Sequence, residues 1–266
     1  MNLVEFFGTK VKPKICKGKY MFAPIENERI CDRIYALRDK DVNAFIYKKG
    51  DRMIAIDCGY KNSDKMLQAL EALQIKAEKV SHLFLTHLDL NHAGGIDSRC
   101  RTLYKNAKIY LGRIEIKYAK KELSRKKIGP FGFNTPIQVA DNYNVLDDMQ
   151  TEYIDDIKIQ AILVPGHTMG HLCYLIDDEY LFTGDCLVLV KGKGYCFYNQ
   201  WNVDSRLNMS SLQKLKNLKG VKMILTSHTG HTERIDEAFS NINELPDWKA
   251  RGFSVSDNAP YDPYNY

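Results

Sequence analysis

Apolar residues in this 266-residue chain gather in short runs, each stopped by a polar residue or a glycine. That is the pattern of buried strands joined by turns. Residues 43–58, NAFIYKKGDRMIAIDC, read as a β-hairpin turning at Gly50. Asn62, Ser63 and Asp64 offer N-cap chemistry for a helix built on Met66, Leu67, Leu70 and Leu73. VSHLFLT (80–86) and AKIYL (107–111) read as the next strands. Residues 113–127 read as a strongly basic helix, and 128–150, with Gly129, Pro130, Gly132 and Pro136, as a long loop or lid. Strands return at 157–164, 172–176, 180–183 and 221–226. Between the last two, Asp204 or Ser205 caps a helix carrying Leu207, Leu212 and Leu215, and 232–245 reads as a final helix on Ile235, Phe239 and Ile242. The mixture lacks strict βαβ alternation, so it predicts two sheets with helices outside.

The ends of these runs carry the candidate chemistry. Asp57 follows MIAI, His87 follows HLFLT, His167 follows LVPG, Asp185 follows YLFTG and His228 follows MILTS. Strands that end on one edge of a sheet bring such groups into one rigid cleft. Imidazole and carboxylate together suit zinc, iron or manganese, and one carboxylate can bridge two ions through its two oxygens. A pair of divalent ions acidifies a trapped water and clamps the oxyanion that develops in hydrolysis.

Composition narrows the setting. With 44% hydrophobic and 27% charged residues the chain is ordinary globular material, read as one domain over 1–266. Its core covers about 43–245, with an N-terminal extension (1–42) and a C-terminal tail (246–266) packed on it or loose. No apolar run approaches the roughly 18 residues of a membrane span. MNLVEFFGTKVKPK lacks the layout of a secretory leader. Seven scattered cysteines without a CxxC pair fit reduced thiols, so a cytoplasmic setting is expected. A net charge of +5 favours an anionic small-molecule substrate without demanding nucleic acid, and homo-oligomerisation stays open.

The ordered set IDCG, THLDLNHAGG, PGHTMGH, TGD and TSHTGH resembles the metallo-β-lactamase superfamily. The resemblance implies an α+β fold: a four-layer αββα sandwich of two mixed sheets, with a metal cleft at one edge. It implies that His87 and His167 match ligands of a first ion and His92 and His228 those of a second. Asp185 would bridge the two, and Asp57 would be the buried aspartate behind them. One or two divalent ions per chain follow, zinc by family habit. The GHTMGH and TGD spacings look closer to the lactonase and glyoxalase II-like thioesterase branch than to drug-hydrolysing lactamases. The family's nucleases carry large insertions that this length does not accommodate.

Two positions depart from the family's HxHxDH motif. Asp89 stands where the first ion's second histidine is expected, and Asn91 where the second ion's aspartate is expected. Carboxylate moves from the second set to the first, and an oxygen-rich first set shifts preference towards iron or manganese. A neutral amide is a poor ligand and a poor acceptor of protons. The reading is a metal-dependent hydrolase of a lactone, thioester or phosphoester, in which Asp185, Asn91 and Asp57 serve catalysis and His87, Asp89, His92, His167, Asp185 and His228 hold metal. Its alternatives are an iron-binding redox protein related to the flavodiiron branch and a decayed, non-catalytic binder. Tyr198 and Trp201, in the aromatic stretch 191–202, and His231 are candidate substrate contacts. His82, His171 and Cys186 read as structural, and the basic face of 113–127 as a solvated surface or a guide for anions.

Overall fold

The computed structural model describes residues 3–15, 22–100, 102–128 and 131–246. Seven strands form the first sheet, in the order Glu28–Arg29, Ile34–Asp39, Val42–Lys49, Arg52–Ile56, Val80–Phe84, Lys108–Gly112 and Tyr143–Leu146. Antiparallel pairing up to Arg52–Ile56 gives way to parallel pairing from there on. Six strands form the second: Thr151–Ile154, Ile157–Leu163, Leu172–Ile176, Tyr180–Phe182, Met223–Thr226 and Gly230–Thr232.

Strand alternation makes the layers. Phe45, Tyr47, Ile54, Ile56, Phe84 and Tyr110 of the first sheet meet Ile157, Ile159, Leu172, Tyr174, Phe182 and Leu225 of the second in one core. Their neighbours face the other way. Ala44, Ile46, Ala55 and Leu83 pack on Met66, Ala69 and Leu70 of the helix Asp64–Ala72. Cys173, Leu175 and Ile224 pack on Leu212 and Leu215 of the helix Ser205–Lys216. Both faces of each sheet are therefore buried, which explains strands that read as continuous apolar runs. The result is a four-layer αββα sandwich of two mixed sheets, and no helix among the described residues is long and apolar enough to cross a membrane.

Several elements differ from the pattern reading. The first sheet begins at Glu28, inside the expected extension. The basic helix stops at Ala119, because Lys121 turns into the left-handed region (φ 62°), and Lys126–Ile128 pairs antiparallel with Phe131–Phe133. Tyr143–Leu146 is a strand rather than part of a lid. The last helix is only Ile235–Ala238, after an edge strand that contains His231. Basic or polar composition alone overextended these helices. Residues 247–266 of the tail lie outside the described residues.

Candidate metal centre

Four histidines surround one carboxylate oxygen. Asp185 Oδ2 lies 3.2 Å from His228 Nε2, 3.3 Å from His92 Nε2, 3.6 Å from His167 Nε2 and 4.0 Å from His87 Nε2. His87, His167 and His228 reach this point from the turn just after a strand. The short helix Leu90–Ala93, which follows the His87 turn, adds His92. That turn sits tightly on the end of Arg52–Ile56: a Cβ on Gly94 would collide with the backbone of Tyr60 and Lys61.

The other nitrogen of each ring is held by an oxygen. His92 Nδ1 donates to Asp57 Oδ2 at 2.8 Å, His167 Nδ1 to Asn202 Oδ1 at 3.3 Å, and His228 Nδ1 to the Asp41 carbonyl. Thr86 Oγ1 gives its single proton to Asp57, so it accepts from His87 Nδ1 at 2.9 Å. Every Nδ1 thus carries a proton, and every Nε2, the nitrogen left to ligate, lies within 4.0 Å of Asp185 Oδ2. Oxygen partners on the far nitrogen fix ring orientation and tautomer in metal sites. Asp57 also accepts from Thr86 N at 2.8 Å, and its backbone is held at φ 60°, a strained conformation for a non-glycine residue. Asp57 positions histidine and loop, without touching a reacting group.

Two three-ligand sets share Asp185. One is His87, His167 and Asp185, and the other is His92, His228 and Asp185. Ligand atoms about 2.0–2.2 Å from a tetrahedral ion stand roughly 3.3–3.6 Å apart, and the separations above bracket that range. His92 Nε2 and Asp185 Oδ1 are buried without a hydrogen-bond partner. Buried polar atoms are rarely left so, and a cation bound there would satisfy both. The donor set fits a divalent ion.

Electrostatics agree. Burial pushes the Asp185 carboxyl up, but His228 and His92 outweigh it and hold the group well below the usual range. Burial lowers the His92 imidazole, yet Asp185 and Asp57 raise it to about 10. In His167 burial dominates, aided by the charge of Arg125, and brings the ring down to about 4. In the metal-free protein His92 is thus cationic near neutral pH, with an Nε2 proton that an ion would displace, while His167 is neutral.

Both departures from the motif have a cation attached. Arg125 grips Asp89 with both arms of its fork, Nε to Oδ1 at 2.7 Å and Nη2 to Oδ2 at 2.9 Å. The same Nη2 lies 3.0 Å from His167 Nε2 and donates to the Trp201 carbonyl at 2.9 Å. Burial raises the Asp89 carboxyl, but the Arg125 charge and His167 outweigh it and hold it well below its ordinary range. Asp89 Oδ2 is still 3.3 Å from His167 Nε2 and 3.6 Å from His87 Nε2. Asn91 presents Oδ1 to Lys12 Nζ at 3.3 Å and Nδ2 to His228 Nε2 at 3.2 Å. A lysine ammonium only donates, so it takes the amide oxygen and leaves the non-ligating end towards His228.

The aromatic candidates are divided. Trp201 sits at the cleft, its ring 5.2 Å from Lys12 Nζ. Tyr198 is fully buried against Phe22 and Phe197. Phe22 instead stacks on His228 at 3.9 Å, and Phe197 meets His167 edge-on at 4.9 Å. His231 is exposed on its edge strand, opposite Leu225. His171 accepts from the Asp185 N–H at 3.0 Å, and Cys186 packs its thiol 3.4 Å from Cys173, both sulfurs within 4.8 Å of a His171 ring nitrogen. Lys12, Asp41 and Glu115 escaped the pattern reading, and Arg125 entered it only as one charge of the basic face, not as the partner of Asp89. Glu115 is buried on the inner side of the basic helix, where it accepts from Leu88 N and Thr168 Oγ1 and thereby ties the His87 loop to the His167 loop.

A sequence profile of the metallo-beta-lactamase superfamily matches residues 37–228, the stretch that contains both sheets' central strands and all four histidines. The chain belongs to the metallo-beta-lactamase superfamily. Among its superfamily relatives, the probable polyketide biosynthesis zinc-dependent hydrolase PksB of Bacillus subtilis (strain 168) is 31% identical over 143 residues, 54% of this chain and 52% of that protein. An atrochrysone carboxyl ACP thioesterase of Emericella nidulans is 27% identical over 148 residues, 55% of this chain and 40% of that protein. The chain thus spans about half the length of the first of these relatives and 40% of the second. A B3 metallo-beta-lactamase with an active-site glutamic acid shares the fold with a TM-score of 0.60 at 16% identity, over 84% of this chain and 88% of that one. As a superfamily member, this chain varies the motif at Asp89 and Asn91 and supplies each variant position with a cation of its own.

Proposed function

We propose that this chain is a metal-dependent hydrolase of an ester-like bond, with a thioester as the first substrate class. The observation that carries the reading is the set of four histidines whose Nδ1 atoms are all held by oxygens and whose Nε2 atoms converge on Asp185 Oδ2. Zinc-dependent hydrolase and thioesterase are what two relatives are named, and this supports hydrolysis and a thioester in turn. A divalent ion in the centre would supply an acidified water and a Lewis acid for a carbonyl oxygen.

The chain's own residues do the rest. Asp57, Asp41 and Asn202 keep the imidazoles aimed and in the ligating tautomer. Phe22, Phe197 and Trp201 wall the centre and exclude bulk water, which strengthens every charge interaction inside. Lys12 and Arg125 stand beside it, each paired with a carboxylate, and the chain's net charge of +5 suits a small-molecule substrate with an anionic carrier group. Both oxygens of Asp89 are engaged by Arg125, so the oxygen-rich first set that favoured iron loses its extra ligand.

The test is thiol release from short acyl thioesters, followed with a chromogenic thiol reagent, using metal-depleted protein before and after zinc is restored. Release that needs zinc and vanishes in Asp185→Asn is expected. Release that survives metal removal refutes the reading. Inertness of the zinc-loaded protein towards thioesters, lactones and phosphoesters alike would turn it into a binder.

A further inference from the structure

We propose that Arg125 stands in for the first metal ion, so that this chain holds a single ion, on His92, His228 and Asp185. The inference rests on the metal-centre reading above and goes beyond it by assigning the ion to one set of ligands. Three observations on independent atoms carry it.

The first is the position of the guanidinium. Nη2 is 3.0 Å from His167 Nε2, and donation to that nitrogen uses the lone pair through which His167 would bind an ion. Asp89, the residue beside this set, has both oxygens in the Arg125 fork. Bidentate arginine–carboxylate pairs are the strong, geometrically specific ones. The Trp201 carbonyl takes a further hydrogen bond from Nη2, and the Arg125 side chain is 15% exposed, so the group is held on several sides.

The second is the distribution of unsatisfied atoms. His92 Nε2 and Asp185 Oδ1 are buried without hydrogen-bond partners, whereas His167 Nε2 already receives the Arg125 guanidinium; His87 Nε2 and His167 Nε2, 3.2 Å apart, are both acceptors and do not satisfy each other. Both atoms without a partner belong to the His92 set.

The third is geometry and charge. Asp185 Oδ2 is nearer to His228 and His92 (3.2 and 3.3 Å) than to His167 and His87 (3.6 and 4.0 Å). Lys12 holds the oxygen of Asn91, whose Nδ2 lies 3.2 Å from His228 Nε2. A neutral amide yields that lone pair to an ion more readily than a charged guanidinium clamped by Asp89, so this set offers two histidines and one carboxylate. Three protein ligands with an open fourth position is the arrangement of catalytic rather than structural zinc sites. Asp89 is neutralised by Arg125 and Asp41 faces Lys12 at 3.9 Å, so Asp185 is left to meet the ion's charge. The two departures from the usual motif are then parts of one change: a guanidinium fork needs a carboxylate where the family has a histidine, and Asp89 provides it.

The experiment is zinc stoichiometry by calorimetric titration of metal-depleted full-length protein, checked by elemental analysis after gel filtration. Wild type, Arg125→Met, His167→Ala and His228→Ala are compared, with circular dichroism to confirm folding. Expected are one zinc in the wild type, one zinc retained in His167→Ala, a loss of at least about tenfold in affinity in His228→Ala, and a second zinc gained in Arg125→Met. If Arg125→Met does not fold, the His167 and His228 variants decide alone. Two tightly held zinc ions in the wild type, an ion lost with His167 and kept without His228, or a count unchanged in a folded Arg125→Met each overturn the assignment while leaving the metal centre intact. No zinc in any variant overturns both.

Discussion

Replacing Asp57 by asparagine isolates the part of the centre that aims His92. Asparagine tolerates the left-handed backbone at φ 60°, so the strand end is preserved. Its remaining oxygen can keep the bond from Thr86 N, now 2.8 Å long. What changes is Oδ2, which accepts from His92 Nδ1 at 2.8 Å; Thr86 Oγ1, 2.8 Å from Oδ2, is also 3.0 Å from Oδ1 and can turn to it. An NH₂ group at Oδ2 then opposes one buried donor, His92. A buried group left unsatisfied costs about 1–3 kcal/mol, so the metal-free protein should lose about that much. For a chain of 266 residues this is a fall of roughly 2–5 °C in Tm. His92 can escape by moving its proton to Nε2, which faces Asp185 but is the ligating nitrogen. Zinc affinity should then drop about 10–100-fold, the usual cost of losing such a supporting partner. Competition against a chromophoric chelator measures affinity, and thermal unfolding with and without zinc measures stability. A variant that binds zinc within about threefold of wild type would refute the claim that Asp57 sets the tautomer.

Four further outcomes are expected. His92, raised to about 10 when folded from an ordinary value near 6.5, stabilises the metal-free protein fully below pH 6.5 and progressively less as pH climbs through 10. Unfolding scans of metal-free protein should show Tm falling across that window, and zinc binding near neutral pH should release close to one proton in calorimetry across buffers of different ionisation enthalpy. Lys12→Met removes an ammonium beside Asn91 and should tighten zinc binding by roughly tenfold; weaker binding in a folded variant would count against Lys12 as a repulsive neighbour. Glu115→Ala leaves the Leu88 N–H and Thr168 hydroxyl unpartnered and should cost about 2–5 kcal/mol, read by denaturant unfolding. Gly94→Ala drives a methyl into the Tyr60–Lys61 backbone and should loosen the turn bearing His92, so zinc affinity and Tm should fall together.

What could be read from the sequence was what local pattern encodes. Apolar runs mark the central strands, and their polar stops mark where Asp57, His87, His167, Asp185 and His228 sit, because a strand's end fixes a side chain's position on a sheet edge. The sandwich followed from the mixed order of strands and helices. Hidden from that reading were the long-range partners. Arg125 lies in a run of lysines that looks solvated, and nothing local tells it from its neighbours; it acts on Asp89, 36 residues away. Lys12 reaches Asn91 across 79 residues. Glu115 faces inward from a helix whose other residues advertise a surface. Helix ends were overdrawn at 119 and 238, where backbone geometry rather than composition ends the element.

The most direct test of the account is the metal content of protein purified without added metal, with Asp185→Ala prepared in parallel. Asp185 is the one ligand common to both sets. Close to one divalent ion per chain in the wild type and almost none in the variant is the predicted result. A wild type free of metal, and unable to take up zinc when it is supplied, would contradict the claim that these histidines form a metal centre.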